Sequence, residues 1–284
     1  ARAPAPTRER RMPASPDPSP VAYAAAPRVE AALRAIGRTE DIQFSPDDSK
    51  LAICGFIKGS ILVLDVERGD SRGRVGLRFP RHVELASAAF RAPHGVAWLD
   101  GATLAVANRE GEVVLIRLPE AGATNTTNAP IQVEPLATIH TDAVDGLEAP
   151  GSIAAIELGG DRFEILVCNN DGHTITSHIV ATGRAPRVES SVRLLQKGLV
   201  IPDSIALAPR ARWLAISNHH DHSVFLYRNV VDLKPESPPV GTLRGVLYPH
   251  GLRFSADGRR LFLADAGLPF VHVYESDDGD WRGT

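Results

Sequence analysis

Glu40, His94, Asp203 and His250 carry two carboxylates and two imidazoles, and each opens a copy of the same repeated segment. Hard oxygen and nitrogen donors of this kind bind divalent cations, so the four are the expected ligands of a Ca, Mg, Mn or Zn ion. A second set closes the following strand of each copy, with Asn108, Asn169, Asn218 and Asp265 at one position. Arg109 and the run His219-His220-Asp221-His222 come directly after it. From these sets Asn108, Arg109, Asn169, Asn218, His219, His222 and Asp265 are the expected substrate contacts. Asn and Asp at a strand end also bond locally to the chain, so that column has a structural reading beside the functional one. Neighbours in a hairpin point in different directions, so at most two imidazoles of the histidine run can face one ion.

A repeat is needed to bring such distant residues together, and one is present. From Glu40 onward, short apolar runs of β type alternate with turn residues. Glu40-Asp41-Ile42-Gln43-Phe44-Ser45-Pro46-Asp47-Asp48-Ser49-Lys50-Leu51 aligns without a gap on His250-Gly251-Leu252-Arg253-Phe254-Ser255-Ala256-Asp257-Gly258-Arg259-Arg260-Leu261. Copies starting at 40, 94, 151, 203 and 250 lie 54, 57, 52 and 47 residues apart. Each reads as a strand, an Asp/Gly-rich turn, a second strand and a further hairpin into a third, as at 113–118 and 224–227. A more polar fourth strand is expected, most clearly at 131–139. One four-stranded sheet cannot cover its own faces, so this period means stacked blades. The expected fold class is therefore all-β: a β-propeller of four-stranded antiparallel blades, five of them visible, as a five-bladed ring or part of a six- or seven-bladed one. Antiparallel pairing sets the start of each innermost strand beside the end of the second. All the candidate residues then share one mouth of the axis.

The expected division is a flexible Pro/Arg-rich tail with one short helix at 1–38 and the propeller at 39–284. Val29, Ala32, Leu33 and Ile36 supply the helical spacing, with Gly37 as terminator. The chain has 284 residues, a formal net charge of −3 and 43 % apolar content. That balance gives no broad basic field for nucleic acid or acidic lipid. There is no apolar run near the roughly 18 residues of a membrane span. With no secretory h-region visible either, a cytoplasmic address is favoured. The expected partner is a small-molecule substrate, with no nucleic acid and no membrane, and a protein or fused-domain partner left open. Cys54 and Cys168 precede the strand-end column in different blades, which argues against a disulfide, whose Cα atoms must lie within about 7 Å. Esterase, NTPase, zincin and dinucleotide-binding motifs are absent.

Pro93-His94-Gly95-Val96-Ala97-Trp98, Leu104-Ala105-Val106-Ala107-Asn108 and Pro249-His250-Gly251-Leu252-Arg253-Phe254-Ser255-Ala256-Asp257-Gly258 resemble the repeat unit of the lactonase-like propellers. That group comprises the gluconolactonase/regucalcin family, the streptogramin-lyase-like propellers and the tandem repeats ending Val-Ala-Asn. The gluconolactonase resemblance implies an axial metal held by a Glu of the first blade, two Asn and an Asp, and Glu40 and Asp203 match its outer members by position. His94 stands where an Asn is expected, Gly151 offers no ligand and His250 has no counterpart. The resemblance thus implies a metal-dependent hydrolase of lactone-like small molecules at the axial mouth, with Asp203 as metal ligand and base, and Arg109 or His219 near the oxyanion. Two other functions remain open: a non-catalytic platform binding a protein or domain, and an axial lyase in which His250 handles the proton.

Overall fold

The computed structural model describes residues 22–71, 74–120 and 129–283. The expected tail before residue 22 lies outside them. The chain is an all-β propeller, and among the described residues five sheets are blades stacked in chain order. Blade 1 comprises Thr39–Phe44, Lys50–Gly55, Ser60–Asp65 and His82–Ala86. Blade 2 comprises Pro93–Trp98, Thr103–Asn108, Val113–Arg117 and Ala137–Ile139. Pro150–Gly159, Arg162–Asn169, Thr174–Ala181 and Arg187–Leu195 make blade 3. Blade 4 is Pro202–Leu207, Trp213–Asn218, Ser223–Arg228 and Gly241–Leu243. Three strands, Pro249–Phe254, Arg260–Asp265 and Val271–Glu275, form blade 5.

Strand composition follows how many faces a blade must cover. Thr103–Asn108, Thr-Leu-Ala-Val-Ala-Asn, is buried at every position because blades 1 and 3 pack on its two sides. Arg260–Asp265 instead alternates exposed and buried. Leu261 and Leu263 enter the layer against blade 4, while Phe262 faces outward. Cys54 and Cys168 lie in separate layers as free, buried thiols.

The helix Pro27–Ala35 covers the far face of blade 1. Pro27 opens it, Glu30 and Arg34 complement its dipole, and Gly37 at φ +73 follows its end. Val29 and Ile36 pack on Leu51, Ile53, Leu62 and Leu64. Burying each of the two contributes roughly 1.5–3 kcal/mol, so the segment is docked onto blade 1.

Two other segments depart from the sequence reading. Ile131–Gln132 adds parallel to blade 1 at Leu85 and Ala86, and only Ala137–Ile139 completes blade 2. Ile131 and Val133 pack into the layer between blades 1 and 2, which draws the chain across. The sixth sheet joins Ala22–Ala25, Arg74–Phe79 and Glu67–Ser71. It prolongs the outer hairpin of blade 1, since Asp65 N bonds Arg81 O between the two paired stretches.

Neighbouring blades are latched along the axis. Side-chain oxygens of one innermost strand accept backbone N–H groups of the next: Asp41 Oδ2 from Val96 (3.0 Å), Gln43 Oε1 from Trp98 (3.0 Å), Ser152 Oγ from Ile205 (3.3 Å) and Ser204 Oγ from Leu252 (3.1 Å). Between blades 2 and 3 the backbones themselves touch. A Cβ on Gly95 would lie 2.2 Å from the Gly151 carbonyl oxygen.

Candidate functional site

The same local device places an axial side chain in every blade. Each innermost strand slips register at its start, between Thr39 and Ile42, Pro93 and Gly95, Pro150 and Ile153, Pro202 and Ser204, and Pro249 and Leu252. Such bulges re-aim side chains, and here they bracket Glu40, His94, Gly151, Asp203 and His250. In blades 2 to 5 the residue before the proline has a positive φ: Ala92, Ala149, Ile201 and Tyr248 at 53, 50, 55 and 56°. Each such conformation costs of order 1–3 kcal/mol in a non-glycine residue. The return is a fixed clasp: their carbonyls accept from the N–H of Arg109 (2.9 Å), Asn170 (3.3 Å), His219 (3.0 Å) and Ala266 (3.1 Å). In blade 1, Arg38 O accepts from Phe56 N (3.0 Å). Two interleaved rings result, one of Glu40, His94, Gly151, Asp203 and His250, the other of Phe56, Arg109, Asn170, His219 and Ala266.

Side chains of these rings form one connected cluster. Arg109 Nη2 lies 2.5 Å from His94 Nε2 and 3.9 Å from Asp203 Oδ1. A guanidinium can only donate, so His94 Nε2 accepts and its proton is assigned to Nδ1. Burial, then the charge of Arg109, push His94 down to about 3, which keeps it neutral. Glu40 Oε2 is 3.6 Å from the same nitrogen, and Oε1 is paired with Arg38. Arg38 in turn lies over the Phe56 ring, 4.6 Å from its centroid. Across the mouth, His250 Nδ1 meets Asp203 Oδ2 at 2.9 Å, and Asn170 Nδ2 donates to Asp203 Oδ1 at 3.1 Å. Burial pushes the Asp203 carboxyl up, but the bonds from His250 and Asn170 and the His250 charge outweigh it and hold it at about 2. The Asp203 hydrogen bond raises His250, whose side chain is 39 % exposed. Burial lowers His219, whose ring lies edge-on to that of His250 at 4.9 Å. A cavity of about 500 Å³ adjoins this cluster, lined by Glu40, Asp41, Ser152, Ser204 and Arg253 and by Phe262 and Val271 of blade 5; of the cluster itself only Glu40 lines it.

Glu40, His94, Arg109, Asp203, His219 and His250 therefore share the mouth, whereas the strand-end column does not. Asn108 accepts from Arg91 N and donates to Glu112 O. Asn218 likewise ties Val200 N and Gly198 O, and Asp265 takes the N–H groups of Leu247, Gly267 and Leu268. Asn169 donates to Thr174 and Thr176 within its own blade. All four are buried and pin the entering loop or the following hairpin, with Asn169 Oδ1 alone among their polar groups lacking a hydrogen-bond partner. His222 is similarly committed: at φ +53 its Nδ1 accepts from Tyr248 N (3.1 Å), bracing the entry to blade 5. Asn170 was absent from the sequence-derived set. Its signal was there, since it follows the column residue of blade 3 as Arg109 and His219 follow theirs. Gly151 makes room for it, because a Cβ there would stand 2.5 Å from Asn170 Oδ1.

The expected four-ligand metal set does not fit this geometry. Arg109, a cation, holds the space between Glu40, His94 and Asp203, and His94 spends its Nε2 lone pair on it. A smaller set does fit: Asp203, His219 and His250 each offer a donor atom, all within 4.8 Å of one another. Two buried atoms beside it, Asn170 Oδ1 and His219 Nδ1, make no hydrogen bond of normal geometry.

Among the described residues no helix is long and apolar enough to cross a membrane. No curated protein matches the chain. Solved structures do. A candidate 6-phosphogluconolactonase from Bacteroides uniformis is 11 % identical, with a TM-score of 0.52, over 84 % of this chain and 66 % of that one. Another, from Bacteroides fragilis, is 16 % identical, with a TM-score of 0.51 and the same coverage. The hydrazine synthase of Kuenenia stuttgartiensis is 15 % identical, with a TM-score of 0.47, over 84 % of both chains. At these identities the likeness to the two Bacteroides proteins speaks for the fold, and the chain spans about two thirds of each. A family model described as the lipoprotein LpqB beta-propeller domain matches residues 2–145. A lipoprotein lends no support to a cytoplasmic address. With half of its length covered by that model and its sheets stacked as blades, the chain belongs to the LpqB beta-propeller domain family.

Proposed function

We propose that the axial mouth hydrolyses lactone-like small molecules. The observation that carries this reading is the 2.9 Å contact of Asp203 Oδ2 with His250 Nδ1 in the cluster that also holds Arg109. With Nδ1–H committed to the carboxylate, Nε2 is the nitrogen left to take a proton from water, and Asp203 stabilises the imidazolium that forms. Arg109, held by its bond to His94, offers fixed positive charge for the oxyanion of ring opening. The Bacteroides proteins of this fold support the choice of lactones as the first substrates to test.

Asp203→Asn and His250→Gln are expected to lower kcat/KM by at least about 100-fold with melting temperatures little changed. Full turnover in either variant refutes the reading. Assays in ¹⁸O-water separate it from a lyase: hydrolysis puts one labelled oxygen into the product, whereas elimination from a cyclic depsipeptide puts in none. A platform role has its own support in the apolar outer face of blade 5, where Phe270, Val271 and Val273 are 59, 66 and 50 % exposed. Turnover of no lactone, with a protein or domain held at that face, would favour it.

A further inference from the structure

We propose that Asp203, His219 and His250 form a divalent-metal site selective for ions that favour imidazole, such as zinc, cobalt(II) or nickel, over calcium and magnesium. Asp203 and His250 come from the innermost strands of blades 4 and 5, and His219 from the turn after the second strand of blade 4. Their donor atoms all lie within 4.8 Å of one another. Metal–nitrogen bonds of about 2.0–2.1 Å in a tetrahedral site put donors roughly 3.3 Å apart. Reaching that spacing requires side-chain rotation of His219 and of His250, whose side chain is 39 % exposed.

The surroundings favour one side of the carboxylate. Asp203 Oδ1 is held by Asn170 Nδ2 at 3.1 Å and faces Arg109 at 3.9 Å. Oδ2 points to His250, so an ion there sits on the side away from the guanidinium and takes the place of the proton shared with His250. Orientation of a ligating carboxylate by a neighbouring amide is typical of metal sites. Two imidazoles and one carboxylate leave a coordination position for water, the pattern of catalytic rather than structural zinc. Calcium needs six to eight oxygen ligands, and the nearby oxygen donor Glu40 is engaged with Arg38. His94 and His222 are occupied by Arg109 and Tyr248.

The test is titration of the chelator-stripped chain with zinc and with calcium by calorimetry, and with cobalt(II) by visible absorption. One zinc per chain is expected, with no calcium uptake and a cobalt spectrum of low coordination number. His219→Ala, Asp203→Asn and His250→Ala should each weaken zinc at least about 100-fold, while His220→Ala, on the exposed side of the turn, should not. Should the His250 variant fail to fold, His219→Ala reads the same site from the turn. Lack of stoichiometric zinc, undiminished zinc in His219→Ala, or tighter calcium than zinc would overturn the proposal. An ion there would replace the Nδ1 proton that the hydrolase reading uses, so the two readings describe different states of the same Asp203–His250 pair. Lactone turnover without zinc binding removes only the metal site, and zinc binding without turnover removes only the hydrolase.

Discussion

Arg109 shows how one side chain redirects a site. From residue types alone, Glu40, His94, Asp203 and His250 make a plausible ligand ring, and all four do reach the mouth. Arg109 is expected at the same mouth from the repeat, but residue types do not reveal that it consumes the His94 lone pair. The Asn/Asp column was ambiguous for a related reason: the same short polar side chains serve strand ends and ligands equally well, and their hydrogen-bond partners, some as distant as Arg91 from Asn108, are not visible in the sequence. A histidine away from the mouth yields a pH prediction. His178 is buried between Thr176 Oγ1 and Ser191 Oγ, both at 2.8 Å, and burial pushes it down to about 4. The unfolded chain takes up a proton near pH 6.5 that the folded chain refuses until about 4. Stability contributed by the neutral ring is therefore lost as pH falls across that window. Denaturant unfolding should show a loss from this group of roughly 2 kcal/mol between about pH 7 and 5, and His178→Gln should lack it. An equal slope in both proteins would place the proton elsewhere.

At the scale of elements, a blade boundary rests on a few backbone groups. Ser204 Oγ accepts the Leu252 N–H, so Ser204→Ala leaves a buried donor unpaired between blades 4 and 5. The expected cost is about 1–3 kcal/mol. Gly95→Ala is harsher, because its Cβ meets backbone, the Gly151 carbonyl oxygen, which cannot turn aside. Several kcal/mol of destabilisation is expected, roughly 3 or more, with blades 2 and 3 forced apart. Thermal and chemical melts check both, and a neutral Gly95→Ala would show that those blades do not approach as described. Strands, turns and the blade period were legible because alternation and turn residues are local signals. The assignment of 131–139 to one blade was not, since parallel addition of Ile131–Gln132 to blade 1 depends on a neighbouring sheet. The docking of the helix on blade 1 was equally hidden: periodicity shows which of its faces is apolar but not what that face covers.

For the whole molecule, the consequence of stacking is convergence. Residues as far apart in sequence as Glu40 and His250 meet because five copies of one strand start, each with its bulge, face a common axis. Function follows from that placement and not from the fold itself, which serves many chemistries. A double-mutant cycle on lactone hydrolysis, with Arg109→Gln in blade 2 and Asp203→Asn in blade 4, tests the convergence and the chemistry together. Groups acting on one transition state give grossly non-additive losses, so each single variant should lose most of kcat/KM and the double little more than the worse of them. Undiminished hydrolysis in Asp203→Asn, or losses that simply add, would contradict the account.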